Sequence, residues 1–219
     1  MLTIKEPDFS DTIELVNVHS RIFDYSFTTR LGMKFLEKVY YPGMLELNHV
    51  FIKIFLYNKK IAGFVVCSTD ANHVFSTIVR RKLFCFLSIT FLGIMKNPII
   101  IKDLFRALFF VLFGQKELLP RVNSEIVNMG VLPEYRRKTM KKGILSTTEF
   151  YKVHGINLAQ ELFNSVLEEF RKRNIREFKV LTPADKKDSN KFYEKAGCRL
   201  VGENIKILGH YSNCLLFTF

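Results

Sequence analysis

The chain has 219 residues, 48% of them hydrophobic, which is enough for one globular unit with a sizeable core. Its net charge of +12 favours anionic partners such as nucleic acid, phosphorylated small molecules or acidic membranes. The four cysteines are far apart and the N-terminus lacks a basic and apolar leader. These features speak against a zinc site, a disulfide framework and secretion, and we expect a reduced, cytoplasmic protein without a metal.

The first third predicts a strand, two helices and a hairpin. "LTIKE" alternates like a strand, and apolar residues at helical spacing follow Ser10 or Asp11, either of which suits a helix N-cap. A second helix in "FTTRLGMKFLEKVYY" is predicted to end at Pro42-Gly43. The β-branched and aromatic runs of "HVFIKIFLYNKKIAGFVVCST" predict two strands that turn near Asn58.

The most apolar part of the sequence lies at about residues 77–116. Its two runs, "LFCFLSITFLGIM" and "IIIKDLFRALFFVLF", are each shorter than the roughly 18 apolar residues that span a bilayer. They predict two additional buried or interfacial helices. Such helices must cover something: the sheet, a second subunit, an acceptor site or a membrane surface.

The C-terminal half alternates strands and helices. "SEIVNMGVLP" predicts a strand, "NLAQELFNSVLEEFRKR" a strongly amphipathic helix and "REFKVLT" another strand. "KKDSNKFYEKAG" predicts a short helix closed by Gly197, and "CRLVGE" and "YSNCLLFTF" predict a final strand pair.

A glycine, Gly155, lies directly before the amphipathic helix. The first turn of a helix presents unpaired N–H groups and a partial positive charge, which suit a phosphate. Gly155 is therefore either an ordinary loop glycine before a helix with Asn157 as N-cap, or part of a phosphate-binding loop. The sequence of the turn alone leaves both alternatives open.

The order of these elements resembles the GNAT superfamily of acyl-CoA-dependent N-acyltransferases. The likeness rests on "VLPEYRR", on "KVHGINLAQELF" in place of the family's phosphate loop, and on "NKFYEKAGCRLVG". Less specifically, "SFTTRLGMKFLEKVYY" is similar to the second helix of a bacterial subgroup with a long apolar insertion before its central strand. The resemblance implies an α/β fold: a mixed, largely antiparallel sheet of about seven strands flanked by helices, with the two apolar helices between the third and fourth strands. It also implies one domain over residues 1–219.

The resemblance implies binding of acetyl-CoA as a co-substrate. The implied cofactor-binding residues are Met129, Gly130, Val131, Lys152, Val153, His154, Gly155, Ile156, Asn157, Leu158, Lys186 and Ser189. The loop from Lys152 to Leu158 would bind the pyrophosphate through main-chain N–H groups. The strand edge at Met129 to Val131 would pair with the pantetheine arm and direct an N–H group at the thioester carbonyl.

Two side chains take catalytic roles by the same resemblance. Glu125 is the candidate general base, since family members often have a glutamate there, and Tyr193 is the candidate acid for the departing thiolate. The alternatives are an exposed strand glutamate and a packed core aromatic.

Three features depart from the family pattern: Asn157 replaces a small residue, Lys186 replaces an asparagine, and a basic loop insertion occupies about residues 138–154. Its lysines Lys141, Lys142 and Lys152 could meet the 3′-phosphate of coenzyme A or be a solvated basic loop. A second register, with Gly143 in the phosphate loop, ranks below the first because it places Gly155 inside a helix.

The leading hypothesis is an N-acetyltransferase that acts on a primary amine of a small molecule, with an amino sugar as one candidate. The alternatives are a nucleic-acid-associated basic protein, a membrane-surface protein, and a coenzyme A-binding relative without catalysis. The scattered charges and the lack of a nucleic-acid motif argue against the first of these. A homodimer and peripheral membrane contact remain open.

Overall fold

The computed structural model of the chain describes residues 2–96, 120–141, 144–207 and 210–219. These residues form a seven-stranded sheet in the order β1-β2-β3-β4-β7-β9-β8 and a separate two-stranded sheet of β5 and β6. The strands are β1 (Leu2–Lys5), β2 (Val50–Tyr57), β3 (Lys60–Ser68), β4 (Glu125–Val131), β5 (Lys138–Lys141), β6 (Ile144–Thr147), β7 (Glu177–Pro183), β8 (Arg199–Ile207) and β9 (His210–Thr218). Every pair in the large sheet is antiparallel except β4 with β7.

Helices cover both faces of the large sheet. They are α1 (Thr12–Ile22), α2 (Phe27–Arg30), α3 (Met33–Phe35), α4 (Tyr41–Leu45), α5 (Ala71–Arg81), α6 (Leu83–Lys96), α7 (Glu149–His154), α8 (Leu158–Lys172) and α9 (Lys187–Lys195). A π-helical turn (Leu36–Tyr40) joins α3 to α4. None of the described helices is long and apolar enough to cross a membrane.

The two faces of the sheet carry separate apolar cores. On the first face, α1, the α3–α4 segment and α5 bury Leu15, Phe35 and Ile78 against β2 and β3. On the second face, α8 buries Leu162 and Phe163 against the central strands. Glu125 to Val131 of β4 lie between these cores, so that their side chains reach either face according to strand alternation.

The predicted strand pairs and the amphipathic helix are confirmed. The β2–β3 hairpin turns through Asn58 and Lys59, whose φ angles of 47° and 65° suit the mirror-image turns that follow the twist of the strands. The amphipathic helix is α8, and Gly197, at φ 98°, follows α9.

The structure differs from the sequence prediction in three segments. The helix does not end at Pro42: the π-helical turn lets a new helix start at Tyr41, so that Pro42 lies in the first turn, where no N–H donor is required. The predicted basic loop at 138–154 is instead the β5–β6 hairpin followed by α7. The helical stretch before β4 starts at Ala71, ahead of the predicted boundary at 77, and the second apolar run lies outside the described residues.

Candidate functional site

The strands β4 and β7 separate soon after they meet. Their register pairs Glu125 with Lys179 and Ile126 with Val180, and no later residue of either strand pairs with the other. On the far side β7 stays paired with β9 along its whole length. The result is an opening between residues 127–131 of β4 and 181–183 of β7, here called the β4–β7 cleft.

The main-chain groups of Met129 and Val131 face this cleft. Leu132 donates its N–H to the Ala62 carbonyl at 2.9 Å, which fixes the phase of the β3–β4 ladder. Hydrogen-bonded and non-bonded pairs alternate in an antiparallel ladder, so that Met129 and Val131 direct their N–H and C=O groups away from β3. The edge of β4 therefore directs main-chain donors and acceptors into the cleft, and of these the Val131 carbonyl accepts the Nε–H of Arg136.

Gly130 does not belong to this edge, contrary to the sequence prediction. The same alternation directs its main-chain groups at Phe64 of β3. Its lack of a side chain serves another purpose, because a Cβ atom there would come within 2.5 Å of Ile22 in α1. Gly130 lets α1 pack closely on β4.

A β-bulge at Val127 shapes the start of the cleft. The register between β3 and β4 shifts there, and Asn128 donates its side-chain N–H to the Tyr40 hydroxyl at 2.7 Å. Since Tyr40 is only 3% exposed, this bond ties the bulge to the π-helical turn of the first face. The bulge sets the direction in which the Met129 N–H points.

Glu125 lies at the closed end of the cleft. Ile126 packs in the second core and Val127 on the first, so strand alternation places Glu125 on the first face. Its side chain is 14% exposed, and one carboxylate oxygen lies 3.9 Å from the Lys179 ammonium. Burial raises the pKa of Glu125 to about 7 although the Lys179 charge lowers it. A carboxyl group with this pKa suits a general base near neutral pH.

Tyr193 lies on the opposite face, among the side chains of the second core. It is 5% exposed and packs against Phe163 and Phe192, with ring centroids 6.0 and 5.2 Å away. Burial, with smaller contributions from Cys67 and Cys198, raises the pKa of this phenol. Tyr193 therefore remains protonated and can donate.

The first turn of α8 presents unpaired main-chain donors. Glu161 is the first residue whose N–H bonds within the helix, to the Asn157 carbonyl at 3.1 Å. Asn157 is the N-cap, but its side chain makes no capping hydrogen bond. Among the described residues, the N–H groups of residues 156–160 therefore have no acceptor. Together with the helix dipole they favour an anion.

Solved structures align with the chain over its full length. The ribosomal-protein-S18-alanine N-acetyltransferase from Escherichia coli is 11% identical with a TM-score of 0.53, covering 99% of this chain and 91% of that chain. The PaiA N-acetyltransferase from Thermoplasma acidophilum, solved with coenzyme A, is 11% identical with a TM-score of 0.55, covering 100% and 99%. A putative GNAT acetyltransferase from Desulfovibrio desulfuricans is 10% identical with a TM-score of 0.55, covering 100% and 99%. The chain has the GNAT fold. No family model and no curated protein matches the sequence.

Within this GNAT fold, four of the predicted phosphate-loop residues are engaged elsewhere. Lys152, Val153 and His154 belong to α7, and Gly155 closes that helix at φ 65° by donating its N–H to the Tyr151 carbonyl. Their main-chain donors are used within α7 because the predicted loop is helical up to His154. The predicted donors that remain are those of Ile156, Asn157 and Leu158.

The side chains of this segment are also held away from the α8 N-terminus. His154 lies 3.2 Å from the Tyr57 hydroxyl, in an aromatic group with Phe150. Lys152 forms an exposed ion pair with Glu149 at 2.7 Å. Of the other lysines predicted to meet a phosphate, Lys142 lies outside the described residues.

Lys186 and Ser189 lie at the N-terminus of α9. Lys186 is the N-cap residue, and its ammonium lies 4.7 Å from the ring centroid of Tyr25, in the α1–α2 connection. Ser189 is exposed in the first turn. Both lie beyond the end of β7, outside the pairing edge of β4.

Sequence reasoning missed four residues that shape the cleft: Lys179, Asn128, Tyr40 and Arg136. Lys179 carried a signal, because it is the charged residue inside the apolar run "FKVL". Asn128 and Tyr40 are 88 positions apart, and no local pattern connects them. Arg136 lies in the quoted motif, but its bond to the edge of β4 depends on the turn after Leu132.

Proposed function

We propose that the protein is an N-acetyltransferase that transfers the acetyl group of acetyl-CoA to a primary amine. The observation that carries this proposal is the parting of β4 and β7 after Ile126, with main-chain groups of Met129 and Val131 along one side that bond to neither neighbouring strand. The uncapped N-terminus of α8 follows β4 in the chain and provides an anion site for the pyrophosphate. An extended chain that ends in a phosphate group matches both features.

The chemistry requires one base, one acid and one oxyanion donor. The amine nitrogen attacks the thioester carbon from the first face, and Glu125, directly or through water, takes the proton that the ammonium must lose. The N–H of Met129 stabilises the developing oxyanion, a role typically worth about 3 kcal/mol. The carbon–sulfur bond breaks, and Tyr193 on the second face gives its proton to the leaving thiolate. Acetylated amine and free coenzyme A result.

The acyl group and the acceptor are the finer parts of the proposal. Acetyl is the favoured acyl group and a small-molecule amine the favoured acceptor, with an amino sugar as the first candidate by resemblance alone. We place the reaction in the cytoplasm. Initial rates of thiol release with amino sugars, polyamines and short peptides, and with acetyl-, butyryl- and palmitoyl-CoA, would rank both choices.

Binding of the cofactor is tested by one isosteric substitution. Gln160 is the third residue of α8, and Gln160→Glu adds a negative charge there without changing the side-chain volume. A carboxylate in the first turn stabilises a helix, typically by about 0.3 to 1 kcal/mol, but it repels a diphosphate. We expect at least about tenfold weaker binding of acetyl-CoA in calorimetry, a loss of about 1.4 kcal/mol, while the protein becomes no less stable.

The control is Gln160→Met, which also removes the bond from Gln160 to Asn164 but adds no charge. It should bind acetyl-CoA like the unaltered protein. Equal affinities for all three proteins would contradict the anion site at α8. Tyr193→Phe and Glu125→Gln should keep binding but lose transfer. A coenzyme A-binding relative without catalysis would instead bind acetyl-CoA but show no transfer even as the unaltered protein.

A membrane-surface contact is a second candidate function, favoured by the exposed face of α6. Phe84, Leu87 and Phe91 are 87%, 53% and 65% exposed and recur at helical spacing. The sequence from Ala71 to Lys96 has no acidic residue, and Arg80 and Arg81 are exposed beside α6. An apolar row flanked by cations suits an anionic bilayer surface.

Sedimentation with vesicles tests this contact. We expect binding to vesicles with 30% phosphatidylserine (about a physiological anionic fraction) and loss of binding in Phe84→Ser/Leu87→Ser, with weak binding to neutral vesicles. Dimers that dissociate in the same double variant would instead assign the face to a second copy of the chain.

A further inference from the structure

Lys179 is a buried cation at the level where β4 and β7 are last paired. Its side chain is 3% exposed, between Phe178 and Val180, whose side chains point to the other face. The ammonium donates to the Val122 carbonyl at 2.8 Å. A lysine that is buried this deeply normally has a charged or polar partner, because an isolated buried ammonium is costly.

The geometry fixes the ammonium near Glu125 without joining the two by a hydrogen bond. The strand register sets Lys179 directly beside Glu125, and the nearest carboxylate oxygen is 3.9 Å from the nitrogen. Since the bond to Val122 holds the nitrogen in place, Lys179 acts on Glu125 as a positioned charge. The carboxylate remains free to accept a proton from another direction.

Other titratable groups lie near Glu125 on three neighbouring elements. They are Tyr40 of the π-helical turn, Cys214 of β9 and Cys67 of β3, whose side chain lies on the second face. Burial raises the pKa of each, so that all three are neutral near pH 7. Lys179 is thus the cation that faces Glu125 among the described residues.

We infer that Lys179 is a positioning residue that keeps Glu125 ionised, and therefore able to act as a base, at the closed end of the β4–β7 cleft. The inference rests on the proposed role of Glu125 in acetyl transfer. Without the neighbouring charge, a carboxyl group buried to this degree takes up a proton at neutral pH. With the charge, an ionised Glu125 is available as a base near neutral pH.

Direct titration of Glu125 tests the inference apart from activity. Carbon-13 spectra of protein labelled at the glutamate carboxyl carbons, with Glu125→Gln to assign the signal, follow the ionisation of this one residue. In Lys179→Met the pKa of Glu125 should rise by at least about one, as expected when an opposite charge within 4 to 6 Å is removed. In Lys179→Arg, which keeps the charge, the pKa of Glu125 should differ from that in the unaltered protein by less than about half of the shift in Lys179→Met.

Loss of the bond to Val122 could unfold Lys179→Met, so Lys179→Gln provides a neutral variant that retains a donor. It should shift the Glu125 titration in the same direction. The acid limb of kcat/KM should move with the titration in each neutral variant, while the rate on the alkaline plateau changes much less. A merely structural role for Lys179 would lower the rate at every pH and leave the limb in place.

The two hypotheses fail in different ways. An unchanged Glu125 titration in folded Lys179→Met or Lys179→Gln overturns the role of Lys179, whatever the activity. A shifted titration whose midpoint has no counterpart in the rate profile overturns Glu125 as the base and, with it, the proposed reaction.

Discussion

The Nε atom of Arg136 donates to the main-chain oxygen of Val131 at a distance of 2.8 Å. This oxygen is one of the groups that the β4 edge presents to the cleft. Arg136 therefore holds an acceptor that an extended ligand would otherwise use. Tyr25 lies near the same guanidinium and near Asp185, at the mouth of the cleft.

Removal of Arg136 should strengthen the binding of a ligand that lacks phosphates. In Arg136→Met the Val131 carbonyl is free, and a pantetheine amide can bond to it without displacing a donor. A hydrogen bond of this kind has a net value of about 1 kcal/mol, so S-acetylpantetheine should bind about fivefold more tightly. Acetyl-CoA is the internal comparison, since its phosphates also lose the attraction of one positive charge and its gain should be smaller. Weaker binding of both ligands would show that Arg136 contacts them directly.

The bond between Asn128 and Tyr40 should matter for both stability and turnover. Tyr40→Phe leaves the amide of Asn128 without its acceptor in a partly buried place, which should cost about 1 to 3 kcal/mol in urea unfolding. The bulge then holds the Met129 N–H less rigidly, and kcat should fall at least about tenfold. Tyr211→Phe, at an exposed tyrosine, is the matched control and should change neither. A stable Tyr40→Phe protein with full kcat would contradict this role.

The pH dependence of kcat/KM reports the base. Because the pKa of Glu125 is about 7, the rate should be half-maximal near that pH, approach a fall of about tenfold for each pH unit below it, and be nearly level from about pH 8 to 9. Glu125→Gln should abolish the acid limb and lower the plateau by roughly 100-fold or more. A rate that instead keeps rising at constant slope through pH 9 would mean that ionisation of the amine acceptor controls the profile.

Much of the fold could be predicted because its signals are local. Alternation in "REFKVLT" and the helical period of "NLAQELFNSVLEEF" depend on residues a few positions apart, and both elements have the predicted type. The parting of β4 and β7 could not be derived in this way. It depends on the register between strands that are about 50 residues apart, and the family resemblance pointed only to a free strand edge at Met129 to Val131.

The segment between Arg137 and Gly155 shows why the sequence predicted a loop where the structure has a helix. Lys152 to Gly155 look like a loop when they are aligned with the family motif, but Thr148 caps a helix there by accepting the Tyr151 N–H. The main-chain N–H groups of these residues then bond within α7. The first N–H group without an acceptor among the described residues is that of Ile156, one residue after the glycine. Asn157 was correctly placed at the N-cap, although its side chain does not cap.

The buried histidine His19 should make the protein sensitive to mild acid. It is fully buried, contacts the Tyr41 hydroxyl at 2.7 Å, and burial lowers its pKa to about 4. In the unfolded chain the pKa of a histidine is about 6.5, so between these values the unfolded state binds more protons. The free energy of unfolding should therefore decrease as the pH falls, and the contribution of His19 between pH 7 and 5 is about 2 kcal/mol.

The measurement compares urea unfolding of the unaltered protein and His19→Gln at both pH values. Glutamine cannot take up a proton but still offers a partner to the Tyr41 hydroxyl. The other four histidines are the same in both proteins, so any contribution from them cancels in the difference between the two pH dependences. We expect His19→Gln to be less stable at pH 7, because its side chain fills the aromatic site poorly, yet to lose less stability on acidification. An equal decrease in the free energy of unfolding in the two proteins would mean that protonation of His19 does not contribute to the acid sensitivity.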